Sequence, residues 1–184
     1  MAVRRYRCRV LLASFRMADD EGLGSMAGGQ MDPGVLLPRI PASAGALVWD
    51  RKGRLLILKP TYKSGWTVPG GVIEADGESP WEACRRETRE ECGLDVRRGR
   101  LVCVDFLRPR PGRPGGMRFL FDGGVFKPRR LAGIVLQEEE ISAYQLARVD
   151  RALRLLSGPV RRRVEMAVRK PGRTHYLESG RAAP

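Results

Sequence analysis

With 184 residues the chain can hold one domain of roughly 130 to 150 residues plus tails. Its formal charge of +13 comes from 34 basic residues, only five of them lysine, which invites nucleotides, nucleic acid or phospholipid headgroups; a GC-rich coding sequence gives the same arginine bias. No run of 18 apolar residues suggests a membrane helix, and Cys8, Cys84, Cys92 and Cys103 lack metal-site spacing, so a reduced, cytoplasmic setting is expected.

Residues 1–41 read as an extension, partly disordered, with strand potential at 6–15 and a loose Gly/Met/Asp stretch after it. Arg4, Arg5, Arg7 and Arg9 precede an apolar run of only four residues, so no export signal is expected. The domain spans 42–169. A strand at 44–49, a turn at 50–53 and a strand at 54–58 form a hairpin. A polar loop at 61–65 leads through Trp66 and Pro69 to Gly70. Further strands are expected at 101–107, 117–126 and 134–136, then helices at 144–156 and 160–168 separated by Ser157-Gly158-Pro159. Residues 170–184 read as a basic flexible tail, and its His175 as a tail residue, not a base. This order implies an α/β fold: a mixed sheet sandwiched by helices.

The chemically sorted stretch is 70–94, GGVIEADGESPWEACRRETREECGL. Ser79 can cap a helix over 79–92, Pro80 suits its first turn, and Gly93 can end it. At 100° per residue Trp81, Cys84, Thr88 and Cys92 share a burial stripe, while Glu87, Glu90 and Glu91 share an adjacent arc and Arg86 and Arg89 lie further round. Three neighbouring carboxylates repel unless something positive sits between them. Hard oxygen ligands with no histidine or thiolate beside them favour Mg2+ or Mn2+, and a tight turn at Gly70 and Gly71 can bring a backbone carbonyl to the same ion. The plainer alternative is a solvated charged face.

In this register the stretch resembles the signature box of the Nudix hydrolases. Arg86 through Leu94 match its second half, with Thr88 where an aliphatic residue is usual. Six residues separate Gly71 from Glu78, where the usual box has five, so Gly77 reads as an insertion. The resemblance implies a Nudix-like α/β/α sandwich over roughly residues 42–169. It also implies that Gly70, Glu87, Glu90 and Glu91 are metal ligands. Glu87 is either a third carboxylate ligand or a residue that orients water, and Arg86 either braces a carboxylate or neutralises part of the cluster. Many members place a further glutamate beyond the sheet. Of Glu138, Glu139 and Glu140, the last two are preferred because Ile141 should turn inward; helix-dipole charge is the competing explanation.

Residues 108–116, RPRPGRPGG, should form an exposed loop of short extended pieces. There Arg108, Arg110 or Arg113 could reach a diphosphate or follow a nucleic-acid backbone, and Pro109 falls where some ADP-ribose-cleaving members carry a proline. Lys59 is either a polyphosphate contact or a surface lysine, and Tyr62, Phe106 and Phe119 are candidates for stacking on a base. No P-loop, Rossmann pattern or serine triad is present. The expected function is metal-dependent hydrolysis of a diphosphate linkage in a nucleotide derivative, ADP-ribose-like or a nucleoside triphosphate. The alternatives are an RNA 5′-end pyrophosphohydrolase, an inactive ligand-binding or regulatory domain, and a simple RNA-binding protein. A homodimer is compatible with the family and the extension.

Overall fold

The computed structural model describes residues 40–183, so the extension expected over 1–41 lies outside the described residues except for Ile40 and Pro41. Strands β1 (Ala42–Asp50) and β2 (Leu55–Pro60) form the first hairpin. Its turn is set by Asp50, whose Oδ1 accepts from the backbone N–H groups of Lys52 and Arg54 at 2.9 and 2.8 Å. The short β3 (Gly70–Val72) pairs with the start of β1, Gly45 opposite Gly70 and Ser43 opposite Val72. Helix α1 (Pro80–Cys92) follows, then β4 (Arg100–Leu107) and β5 (Gly116–Phe126), the single turn α2 (Pro128–Leu131), β6 (Ile141–Ala147), α3 (Val149–Leu155), α4 (Gly158–Arg169) and a closing hairpin of β7 (His175–Glu178) and β8 (Arg181–Ala182). The sheet runs β6-β2-β1-β5-β4-β7-β8, with β3 beside β1. It is mixed, since β1–β5 and β4–β7 are parallel.

Both faces of the central strands are covered, so they read as nearly continuous apolar runs, and alternation sorts the side chains. Ala44, Ala46 and Val48 of β1 and Leu56 and Leu58 of β2 face Ala83, Cys84 and Cys92 of α1. Their neighbours Leu47, Leu55 and Ile57 pack with Ala152 and Leu153 of α3 and Val164 and Ala167 of α4. Burial pushes the Cys84, Cys92 and Cys103 thiols up to about 12, which leaves them as inert core groups. Among the described residues no helix is long and apolar enough to cross a membrane.

Three expectations are corrected. Residues 134–136 are irregular, and the segment that begins the predicted helix at 144 is instead part of β6. The free edge of β2 captures this segment as an antiparallel partner, with Ile141 and Ala147 buried and Ser142 exposed, and the helix begins only at Val149. The tail is likewise tied down. β7 runs parallel to β4, Leu177 is fully buried, and His175 is buried with its Nε2 2.7 Å from the Lys170 carbonyl oxygen. Beneath this hairpin the buried Asp105 accepts from Arg163 Nη1 at 3.2 Å and from the Gly180 N–H at 2.9 Å.

Candidate active site

Helix α1 is specified locally at both ends. The Ser79 hydroxyl accepts from the Glu82 N–H while the Glu82 carboxylate accepts from the Ser79 N–H, Pro80 fills the first turn, and Gly93 stops the helix at φ 68°. Thr88, the unusual residue of the burial stripe, is fully buried, and its hydroxyl donates to the Cys84 carbonyl at 2.7 Å, so its polar group is satisfied within the helix.

The acids stand where α1 faces β3. Glu91 is 3% exposed, and its Oε2 accepts from the Gly70 N–H at 2.7 Å. A Cβ on Gly71 would lie 2.3 Å from the Glu87 carboxyl carbon, so only glycine there leaves room for that carboxylate against the strand. Gly70 itself sits at φ 143° with no space for a side chain. The two glycines therefore serve close approach. What the structure shows at Gly70 is its N–H holding Glu91.

Arg86 knits the rest together. Its Nε and Nη2 donate to the two Glu78 oxygens at 2.8 and 3.0 Å, its Nη1 to Glu87 and Glu90 at 2.9 Å each, and its Nη2 also to the Val72 carbonyl at 3.0 Å. Every donor of the guanidinium thus has a partner. These carboxylates raise the Arg86 pKa, and the paired Arg86 holds Glu78 below the usual carboxylate range. The Gly77 insertion costs this arrangement nothing: the extra residue turns outward at φ 96° with open space around it, and Glu78 still closes on Arg86.

Glu87 and Glu91 behave differently. Burial raises Glu87, with the charges of Glu90 and Glu140 adding to it. Burial, then the charges of Glu87 and Glu140, push Glu91 up to about 8 against the help of the Gly70 N–H and Lys63. While Glu87 keeps the Arg86 guanidinium at 2.9 Å, Glu140 is the one of the predicted downstream acids whose charge acts on both Glu87 and Glu91. Its loop is pinned by the Thr61 hydroxyl, which donates to the Glu139 carbonyl at 2.8 Å, and Ile141 turns fully inward as expected.

The remaining predicted site residues are distributed elsewhere. Lys59 lies in β2, where its carbonyl accepts from Ser142, and Lys63 is the lysine that the acids feel. Phe119 packs against the core cluster beneath α1 and also lines the small recess that Gly70 borders. Arg108, Arg110 and Arg113 line a separate recess with Arg118 and Arg162, and the loop folds into a tight turn, Arg110 and Arg113 exchanging two backbone hydrogen bonds of 2.9 and 2.8 Å. Sequence reasoning missed Lys63 and Arg118. Lys63 sits in the polar loop just before the box, which was a usable signal; Arg118 had none.

The donor set suits a divalent cation. All the groups are hard oxygens, the Gly71 notch accommodates one carboxylate, and burial pushes Glu87 and Glu91 above the usual carboxylate range. Among the described residues no three acid, histidine or cysteine side chains stand together as a group that could hold a metal ion, and Arg86 engages Glu87 and Glu90.

Comparison with known proteins agrees with this geometry. Residues 39–167 match the NUDIX domain. The chain is 32% identical over 95 residues to an 8-oxo-dGDP phosphatase NUDT18 of Danio rerio, covering 50% of this chain and 27% of that protein. It is 40% identical over 60 residues to an RNA pyrophosphohydrolase of Mannheimia succiniciproducens, covering 33% and 30%. It thus spans under a third of the length of either relative. The crystal structure of a MutT protein from Methanosarcina mazei Go1 superposes with a TM-score of 0.61 at 25% identity, covering 73% of this chain and 97% of that one. The signature helix, the mixed sheet between helices and a family match over most of the chain agree: this chain belongs to the Nudix hydrolase family.

Proposed function

We propose that the chain hydrolyses a diphosphate linkage in a nucleoside diphosphate derivative by attack of water at phosphorus, with Mg2+ or Mn2+. The observation that supports this most is that Glu87 stands against Gly71 and Glu91 against the Gly70 N–H, with burial raising both and the charge of Glu140 adding to it. In this reading Glu90 and Glu91 are the cation ligands, with the Gly70 carbonyl, and Glu87 is a third ligand or orients the water. When bound, the cation draws charge from the phosphate oxygens and lowers the pKa of bound water.

The protein's own groups do the rest. Arg86 keeps its two-pronged grip on the half-buried Glu78 while Glu90, about half exposed, swings off Nη1 to free its oxygen. Arg86 is therefore a brace that fixes Glu87. The water oxygen bonds to phosphorus, the phosphoanhydride P–O bond breaks, and the water proton passes to a carboxylate oxygen, Glu140 being the best placed outside the helix. Lys63 offers a positive charge at the mouth.

The relatives named as an 8-oxo-dGDP phosphatase and as an RNA pyrophosphohydrolase support two substrate classes, a free nucleotide and an RNA 5′ end. The test is phosphate release from a panel of ADP-ribose, nucleoside triphosphates and 5′-triphosphorylated RNA, with and without Mg2+. Turnover of at least one member is expected only with the cation, and the double substitution Glu90→Gln/Glu91→Gln should lower it by about a hundredfold or more. Turnover that survives both substitutions, or that ignores Mg2+, would show the site is wrong; ligand binding with no turnover would make the chain a regulatory domain.

A further inference from the structure

Next to Gly70 the molecule carries a run of arginines that the proposed chemistry leaves unused. Three recesses follow one another. The first, about 70 Å³, is lined by Gly45, Pro69 and Gly70 on one side and by Arg118 and Arg163 on the other. The second, about 360 Å³, is lined by Arg108, Arg110, Arg113, Arg118 and Arg162. The third, about 640 Å³, shares Arg108, Arg110 and Arg162 and adds Arg181. Arg118 stands in the wall of the first two, so one side chain links the glycine that holds Glu91 to the arginine loop.

The charges along this path are poorly compensated. Arg118 is half-buried and donates only to the backbone carbonyls of Gly115 and Met117 at 2.9 Å and of Pro41 at 3.3 Å, with no carboxylate at ion-pair distance among the described residues. Burial and then the nearby charge of Arg163 lower its pKa. Among the described residues Arg110, Arg113, Arg162 and Arg181 have no ion pair either; Arg108 has one with Glu178 and Arg163 one with Asp105. These groups come from the β4–β5 loop, β5, α4 and β8, and they extend along a groove. A terminal diphosphate can engage two or three such charges at one point. A line of five matches phosphates that repeat. Tyr176 of β7 is half exposed with its hydroxyl turned to Glu178, which lines the third recess, so it offers an aromatic face on which a base can stack.

We propose that this arginine track binds the phosphate backbone of a single-stranded RNA whose 5′ polyphosphate lies at the glutamates. The inference rests on reading those glutamates as a diphosphate-hydrolysing site. RNA is the strand that suits both ends, because a chain begun by transcription keeps a 5′ triphosphate and so brings the scissile linkage with it.

Two measurements on the full chain test this. First, a 5′-hydroxyl RNA octamer, which offers backbone phosphates but nothing to hydrolyse, is titrated by fluorescence anisotropy over a salt series without divalent ions. The exposed pair Arg162→Ala/Arg181→Ala should weaken binding by about tenfold and lower the slope of log affinity against log salt by about 1.4, at roughly 0.7 per phosphate contact on a single strand. Hydrolysis of a free nucleoside triphosphate should not change, which also shows that the variant is folded. Second, kcat/KM on 5′-triphosphorylated RNAs should rise with length from one nucleotide to eight in the wild type and stay flat in the variant. Unchanged octamer binding in the variant, or a wild-type kcat/KM independent of length, would overturn the track while leaving nucleotide hydrolysis intact. If the octamer binds through these arginines but no panel member is hydrolysed, the track stands and the hydrolase reading falls.

Discussion

Glu91→Gln is expected to stabilise the metal-free protein at pH 8 while cutting turnover by about a hundredfold or more. Glu91 is almost fully buried and faces the charges of Glu87 and Glu140, so its acid form is favoured in the fold, with its pKa pushed up to about 8 from an ordinary 4.5. A carboxyl whose folded pKa lies above its unfolded value binds more protons in the folded state. Its contribution to stability is therefore complete below about 4.5 and is lost as pH rises towards 8. Glutamine carries no charge to bury, and its oxygen can still accept from the Gly70 N–H. Thermal melts in chelator should show the variant gaining on the wild type as pH rises from 5 to 8, with a difference on the order of a few kcal/mol at the upper end. Equal melting temperatures at pH 8 would mean that the site is not strained by its own charges.

Asp105→Ala should be the most destabilising single change outside the site, costing about 3 to 5 kcal/mol. Asp105 has no exposure, and Arg163, itself only 13% exposed, has it as its one charged partner among the described residues. Removing it strands a guanidinium in the core and leaves the Gly180 N–H without its acceptor, so both the α4 packing and the β7–β8 hairpin lose their tie. Urea unfolding measures the loss. The double substitution Asp105→Ala/Arg163→Met should recover much of it, because no buried charge is then left unpaired. A cost below about 1 kcal/mol for the single change would show that water reaches Arg163 and that the pair is a surface interaction.

What the sequence made legible is what is written locally. Helix α1 was bounded within one residue because Ser79, Pro80 and Gly93 act on their own neighbours, and the angular grouping of Glu87, Glu90 and Glu91 follows from that one element. β6 and β7 were missed because their strand state is imposed from afar. Residues 144–147 have an apolar pattern that a helix also satisfies, and only the open edge of β2 decides between them. His175 looked like a tail residue until β4 supplied a parallel partner more than 70 positions away. The same rule holds in the site. Arg86, within the helix, lies against the acids its own element carries, whereas Lys63 and Arg118 come near from other segments. Gly77, which reads as an extra residue in the box, sits at positive φ with open space around it, and Glu78 beside it still meets Arg86.

The central claim is that the acidic face of α1 is a cation site. Calorimetric titration of the protein with Mn2+, in the wild type and in Glu90→Gln/Glu91→Gln, tests it most directly. The account predicts saturable binding in the wild type, accompanied by proton release at pH 7 because Glu91 must ionise to ligate, and loss of both in the variant. Binding of equal affinity in the two proteins, or no binding by the wild type in the presence of a hydrolysable nucleotide, would contradict it.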